Sequence, residues 1–232
     1  MNFYAGEILA FDKPREWTSF GLVARVRWLL TQKLGTKVKI GHAGTLDPLA
    51  TGVLLLCTGK ATKRIEELQN HTKEYVATLK LGATTPSFDM EHPEDATYPT
   101  EHITREKIDE VLKSFVGTIE QTPPDFSACK INGVRAFHLA RNGQEVKLKP
   151  KTLTIDEIEV VNYEKPLLTI RVVCSKGTYI RALARDIGQA LESGAYLTDL
   201  RRTRIGDYDV SQCLTLEGFP QWLETVEIDP MA

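Results

Sequence analysis

Four cysteines are spread over 232 residues, at positions 57, 129, 174 and 213. No two stand in C-x-x-C spacing, so the pattern fits reduced, mostly buried thiols of a cytoplasmic protein better than disulfides or a zinc site. No apolar run approaches the length needed to cross a membrane. The first residues lack the basic stretch and apolar core of a secretory signal. Positive charge is not in excess either: 29 Lys and Arg stand against 31 Asp and Glu, a net charge of −2. Taken alone, that balance argues weakly against a nucleic-acid binder. Internal repeats, low-complexity tracts and a clear linker are also missing.

What is present is an ordinary globular composition, 42% apolar and 26% charged, long enough to bury a core. The charge is unevenly placed. Residues 17–46 carry Arg25, Arg27, Lys33, Lys37 and Lys39 and no acid. Residues 130–151 carry six basic residues against Glu145, and Arg201, Arg202 and Arg204 form a third group. Eight acids crowd residues 89–110. Either these are solvated faces, or they make a polarised surface able to track phosphates.

The patterning is mixed. Residues 7–12 read as a strand halted by Pro14, and Thr18 or Ser19 can cap a helix with Leu22, Val23, Val26, Leu29 and Leu30 on one face. Residues 53–57 read as a buried strand. Tyr75, Ala77, Leu79 and Leu81 share one face of another. Three prolines and many polar side chains in residues 85–102 predict a loop or an inserted, mobile segment. A helix capped by Thr104, a hairpin turn at Asn132-Gly133, strands at 152–163 and 167–174, and a helix opened by Thr178 follow. Segments 196–209 and 213–224 read as a strand and a short helix. The expected class is α+β: a mixed, largely antiparallel central sheet with helices packed on it.

One loop concentrates the chemistry: Gly41-His42-Ala43-Gly44-Thr45-Leu46-Asp47-Pro48-Leu49-Ala50-Thr51-Gly52. Its glycines let the backbone pass closely, and the proline pushes Asp47 towards extended geometry. Two readings of Asp47 stand: a carboxylate capping its own turn, or a reactive group held in a fixed direction. Nearby, residues 58–62 imitate a phosphate-binding loop. Leu54 occupies the place of a required glycine and Ala61 that of the metal-binding hydroxyl, so that reading fails.

The loop and its continuation through Lys63 resemble the signature of the TruB family, tRNA pseudouridine-55 synthases. The likeness extends to Asp12-Lys13-Pro14 with Thr18-Ser19, to Lys73-Glu74-Tyr75 and to Gln121-Thr122-Pro123-Pro124 with Ser127-Ala128 and Lys130-Ile131-Asn132-Gly133. It continues through residues 174–181 and Leu200-Arg201-Arg202-Thr203. Phe137, Tyr196 and the segment Thr85–Asp89 depart from the family's usual residues.

The resemblance implies a pseudouridine synthase fold, one catalytic domain over residues 1–232, and isomerisation of a T-loop uridine of tRNA. Asp47, Tyr75 and Arg181 are then the catalytic set. Asp47 serves either by covalent addition or by removing a sugar proton. Tyr75 stacks on the uracil and assists at C5, or else is a half-buried strand aromatic. Arg181 partners Asp47, or else is a surface residue on a first helical turn. His42, Lys13, Tyr179 and Leu200 are implied substrate-binding residues; His42 otherwise bonds loop backbone. Lys60, Lys63, Arg201 and Arg202 are implied phosphate contacts. No metal and no cofactor are expected, the partner is the T-arm of tRNA, and a cytoplasmic monomer is expected. Only 23 residues follow Asp209, too few for the RNA-binding PUA domain that many members carry. The alternatives are a non-catalytic tRNA-binding or folding factor, or a synthase acting on another RNA.

Overall fold

The computed structural model describes residues 1–127, 129–131, 133–143 and 146–229. The chain opens with β1 (Ile8–Lys13), α1 (Ser19–Leu34), β2 (Ile40–Ala43), β3 (Thr51–Thr58), a 3-10 turn (Gly59–Arg64), α2 (Ile65–Gln69) and β4 (Lys73–Leu81). The middle holds β5 (Ala83–Thr84), β6 (Ala96–Thr97), α3 (Arg105–Ser114), β7 (Gly117–Gln121), β8 (Lys130–Ile131), β9 (Val134–Arg135) and α4 (Ala136–Arg141). It ends with β10 (Lys151–Glu164), β11 (Leu167–Cys174), α5 (Ile180–Ala190), β12 (Ala195–Ile205), β13 (Tyr208–Asp209), β14 (Leu214–Thr215) and α6 (Phe219–Thr225). Two compact units result: residues 1–75 with 201–232, and residues 76–200. The division falls inside β4 and inside β12.

In the first unit the strand order is β14-β1-β3-β12, with β2 also on β3. The β1–β3 and β2–β3 pairs are antiparallel; β1–β14 and β3–β12 are parallel. β3 reads as an unbroken apolar run because both its faces are covered. Leu54 and Leu56 join Phe11 under α1 and α6, where Phe11 meets Phe219 edge to face at 5.1 Å. Val53, Leu55 and Cys57 pack on the other side with Leu68 and Ile205. α1 starts where expected: the Thr18 side chain accepts from Gly21 N–H, and Gly35 closes the helix in the left-handed region.

In the second unit the order is β12-β4-β11-β10-β7. The long β10–β11 hairpin is antiparallel, as is β10–β7. Strand β4 alternates, with Tyr75, Ala77, Leu79 and Leu81 inward as their spacing predicts. Helix α3 is capped by Thr104 and buries Ile108 and Leu112. Helix α5 buries Leu183, Ala184 and Ile187. It begins at Ile180, and Thr178 does not open it: that hydroxyl donates to the Ser175 carbonyl instead. The hairpin expected at Asn132-Gly133 is flanked by the β8–β9 pair, but Asn132 lies outside the described residues, as do Ala128 and Glu145. Among the described residues, no helix is long and apolar enough to cross a membrane.

Residues 85–91 form a loop as expected, and it is packed, not a mobile insertion. Thr85, Ser87 and Asp89 are buried. Thr85 Oγ1 donates to the Asp89 carbonyl, and Ser87 Oγ donates to Asp89 Oδ1, both at 2.6 Å. Prolines and polar residues mark a loop without distinguishing a mobile one from one packed around a charge.

Candidate active site

In the first unit the loop between β2 and β3 carries Asp47. Its backbone is held from three directions. Ser19, at the start of α1, both donates to the Leu46 carbonyl (3.0 Å) and accepts from its N–H (2.9 Å). Glu16 N–H donates to the Pro48 carbonyl at 2.7 Å. Arg202, 2% exposed, donates to the carbonyls of Val53 (2.8 Å) and Gly44 (3.1 Å) and reaches that of Thr45 (3.5 Å). The turn after Asp47 closes through backbone, with Ala50 N–H on the Asp47 carbonyl at 3.0 Å. A glycine is required at 52: φ is +108°, and an added Cβ would lie 2.1 Å from the Arg202 carbonyl oxygen. That contact is what lets β3 run beside β12.

Lys13 is 0% exposed, and its ammonium donates to the carbonyls of Trp17 (2.7 Å), Pro14 (2.9 Å) and Pro48 (3.2 Å). Burial pulls its pKa down to about 8; Asp47 and Asp12 attract the proton, and Arg202 repels it. His42 is half-buried in β2. Burial, then the nearby Arg202, hold it below its ordinary range, while the Gly44 backbone pulls the other way. The imidazole is therefore neutral near pH 7. Lys13, His42, Asp47 and Arg202 thus gather around one loop.

Arg202 is the clear correction. It was expected among the phosphate contacts, yet its guanidinium is enclosed and committed to loop carbonyls. Arg201, its neighbour on the opposite face of β12, is half-exposed and forms a two-pronged pair with Asp12 (2.8 and 3.1 Å). Both help line a cleft of about 570 Å³ with Lys13, Trp17 and Arg25. Lys60 and Lys63 are exposed on the turn after β3. Tyr75 is buried at the start of β4.

In the second unit, Gln121 replaces a side-chain cap at the start of α5. Its amide accepts from Tyr179 N–H (2.9 Å) and donates to the Tyr179 carbonyl (3.2 Å). Arg181, one residue into the helix, is 5% exposed, so the surface reading of it fails. It donates to the carbonyls of Phe126 (3.0 Å) and Ser87 (3.2 Å), and Asp89 Oδ2 lies 3.9 Å from its Nε. Leu200 is buried in β12. Tyr196 donates to Glu94, which also pairs with Lys80.

Sequence reasoning missed Ser19, Asp89 and the buttressing role of Arg202. Ser19 was legible only as a helix cap. Asp89 sat among acids that looked like a solvated run. An arginine beside another arginine gives no sign of which one turns inward.

The TruB family pseudouridylate synthase N-terminal domain profile matches residues 29–180, and a tRNA pseudouridylate synthase B C-terminal domain profile matches residues 181–229. This chain belongs to the TruB family. A protein named tRNA pseudouridine synthase B from Phocaeicola vulgatus is 65% identical over 99% of this chain and 98% of its own length. One of the same name from Flavobacterium johnsoniae is 51% identical over 96% and 98%. Among solved structures, a chain in a Cbf5-Nop10-Gar1 complex is 31% identical, with a TM-score of 0.72 over 98% of this chain and 58% of its own. A chain in an archaeal box H/ACA sRNP Nop10-Cbf5 complex is 27% identical, with a TM-score of 0.68 over 96% and 55%. This chain thus spans a little over half the length of those two. The TruB member therefore has the pseudouridine synthase fold and is an isomerase of RNA uridine.

Proposed function

We propose that this chain converts the T-loop uridine, position 55, of tRNA to pseudouridine, with Asp47 as the essential carboxylate. The observation that carries the reading is the Asp47 loop. Its backbone is tied by Ser19, Glu16, Lys13 and Arg202, and its turn closes through Ala50 N–H, so the carboxylate leaves a rigid frame in one direction. The reaction breaks the N1–C1′ bond, turns the base and rejoins it through C5. It needs an ionised oxygen beside the sugar or C6, supplied by covalent addition or proton removal. Tyr75 stacks on the extracted uracil and assists at C5. Arg181 completes the proposed catalytic set. Drawing a base out of its stack costs a few kcal/mol, which the phosphate contacts and the His42 loop offset.

Lys60, Lys63 and Arg201 position the T-arm backbone, and Trp17 and Arg25, which line a cleft with Arg201, add aromatic and cationic surface. The chain works as a monomer in the cytoplasm. The test is to incubate it with an unmodified tRNA transcript and map pseudouridine. We expect one modified site, in the T-loop. Asp47→Asn should abolish turnover and leave tRNA affinity within about threefold, because shape is kept and only charge is lost. Turnover by that variant removes Asp47 from the mechanism. A modified site elsewhere favours a synthase of another RNA, and tight binding without modification favours a folding factor.

A further inference from the structure

Two of the four cysteines are half-buried, one in each unit, and their surroundings are opposite. Cys213 Sγ faces the Asp209 carbonyl oxygen at 3.5 Å. Burial and the Asp12 and Asp209 carboxylates push that thiol up to about 11, with Arg201 opposing. Cys129 in the second unit has its Sγ 3.3 Å from the Tyr179 hydroxyl and 3.6 Å from the Lys151 ammonium. Burial pushes the Cys129 thiol up, but the Tyr179 and Ser127 hydroxyls and the Lys151 ammonium outweigh it and hold the thiol below its ordinary range. Ser127 is 3% exposed, and its Oγ finds no hydrogen-bond partner of good geometry. That hydroxyl lies beside both Cys129 and Tyr179. A thiol next to an ammonium, half open to solvent, with a buried hydroxyl beside it, is arranged as a nucleophile rather than as packing.

We propose that Cys129 is a modification site for peroxides, and that oxygen added to its sulfur slows turnover through Tyr179. The thiolate sulfur attacks one oxygen of hydrogen peroxide, an S–O bond forms and the O–O bond breaks. The sulfur is oxidised to a sulfenic acid, and the departing hydroxide takes a proton from solvent to leave as water. Lys151 balances the charge of the thiolate, and Ser127 Oγ–H is the donor within reach of the added oxygen. The new polar group occupies the space in which Tyr179 meets Cys129, and Gln121 fixes the backbone of Tyr179 at the start of α5, so the ring has little freedom to yield. Only the effect on turnover rests on the proposed function and on Tyr179 lining its pocket.

The experiment uses the whole chain. A short pulse of iodoacetamide, and separately of hydrogen peroxide with dimedone as sulfenate trap, is followed by peptide mass spectrometry of all four cysteines. Cys129 should react about tenfold faster than Cys213, the other half-buried thiol, and buried Cys57 and Cys174 should stay unreacted. Lys151→Met should slow Cys129 about threefold or more and leave Cys213 unchanged. Equal rates at Cys129 and Cys213, or no effect of Lys151→Met, overturn the site. Turnover of the peroxide-treated chain should fall in proportion to Cys129 occupancy, while treated Cys129→Ala or Cys129→Ser keeps its own untreated rate. Full turnover at complete modification overturns the link to Tyr179. Labelling needs no catalysis, so fast labelling at Cys129 without pseudouridine formation counts against the proposed function and not against the site.

Discussion

The loop of residues 44–50 and the loop of residues 85–91 each carry an aspartate, and they are held in opposite ways. In the first, side chains from outside do the holding. Ser19 clamps Leu46, Lys13 takes the Pro48 carbonyl, and Arg202 spans Gly44 to Val53. In the second, the aspartate itself is the hub. Asp89 accepts from Ser87 Oγ and Glu91 N–H and faces Arg181. A carboxylate used as a hub shapes its own loop, whereas the first loop is held through its backbone carbonyls by side chains from outside. Asp89 thus caps its own turn, accepting from Ser87 Oγ and Glu91 N–H. The turn after Asp47 has a backbone closure, Ala50 N–H on the Asp47 carbonyl.

That difference can be broken at its strongest point. Arg202→Met keeps the length and bulk of the side chain and removes every donor. The carbonyls of Gly44, Thr45 and Val53 then lack a partner in a buried place, at about 1–3 kcal/mol each. We expect a loss of about 3–5 kcal/mol in urea denaturation, with kcat falling at least about tenfold as the loop loosens. Stability within 1 kcal/mol of the parent, taken as roughly the cost of one hydrogen bond, contradicts the buttress.

Asp89→Asn attacks the other loop. The amide oxygen keeps the bonds from Ser87 and Glu91 N–H, and the charge facing Arg181 disappears. The expected cost is about 2 kcal/mol, the scale of a charged hydrogen-bonded partner. A neutral result shows that hydrogen bonds alone hold residues 85–91 and that Asp89 is not a charge hub. Ser19→Ala is milder still. It removes one donor and one acceptor at Leu46, for about 1–2 kcal/mol, read from the same denaturation curves. If Ser19→Ala costs more than Arg202→Met, the loop hangs mainly from α1 and the order of its supports is reversed.

Much of this was legible from residue patterns, and the limits are physical. Strands β1, β3 and β4 and helices α1 and α3 follow from alternation, apolar runs and Thr caps, because these signals are local. Asp47 stood out because glycines and a proline crowd around it. Arg202 was misread as a phosphate contact, since its inward direction is set by the β12–β3 register and by the missing side chain at Gly52. Residues 85–91 were read as a loop, but their close packing was not legible because it involves Arg181, about ninety positions away. Helix α5 was placed correctly in its core face and wrongly at its start, since its first turn is held by Gln121 from β7.

The smallest expected effect concerns His42, which shares the first loop with Arg202. Burial first and Arg202 second hold the imidazole below its ordinary value of 6.5. The unfolded chain therefore takes up this proton first as the pH falls. Stability from His42 is fully present above about pH 6.5 and is lost as the pH drops towards the lowered folded value. His42→Gln keeps a polar side chain of similar reach and removes the titration. Thermal midpoints of parent and variant, measured at about pH 7.5 and about pH 5, should converge or cross: the parent loses more on acidification. Other titrating groups act on both proteins alike and cancel in the difference. Asp89 lies in the other loop, so Asp89→Asn should leave the His42 contribution unchanged. Equal acid losses in parent and His42→Gln would mean that the imidazole feels neither the burial nor the guanidinium beside it. The Asp47 loop would then be more open to water than the enclosed Arg202 requires.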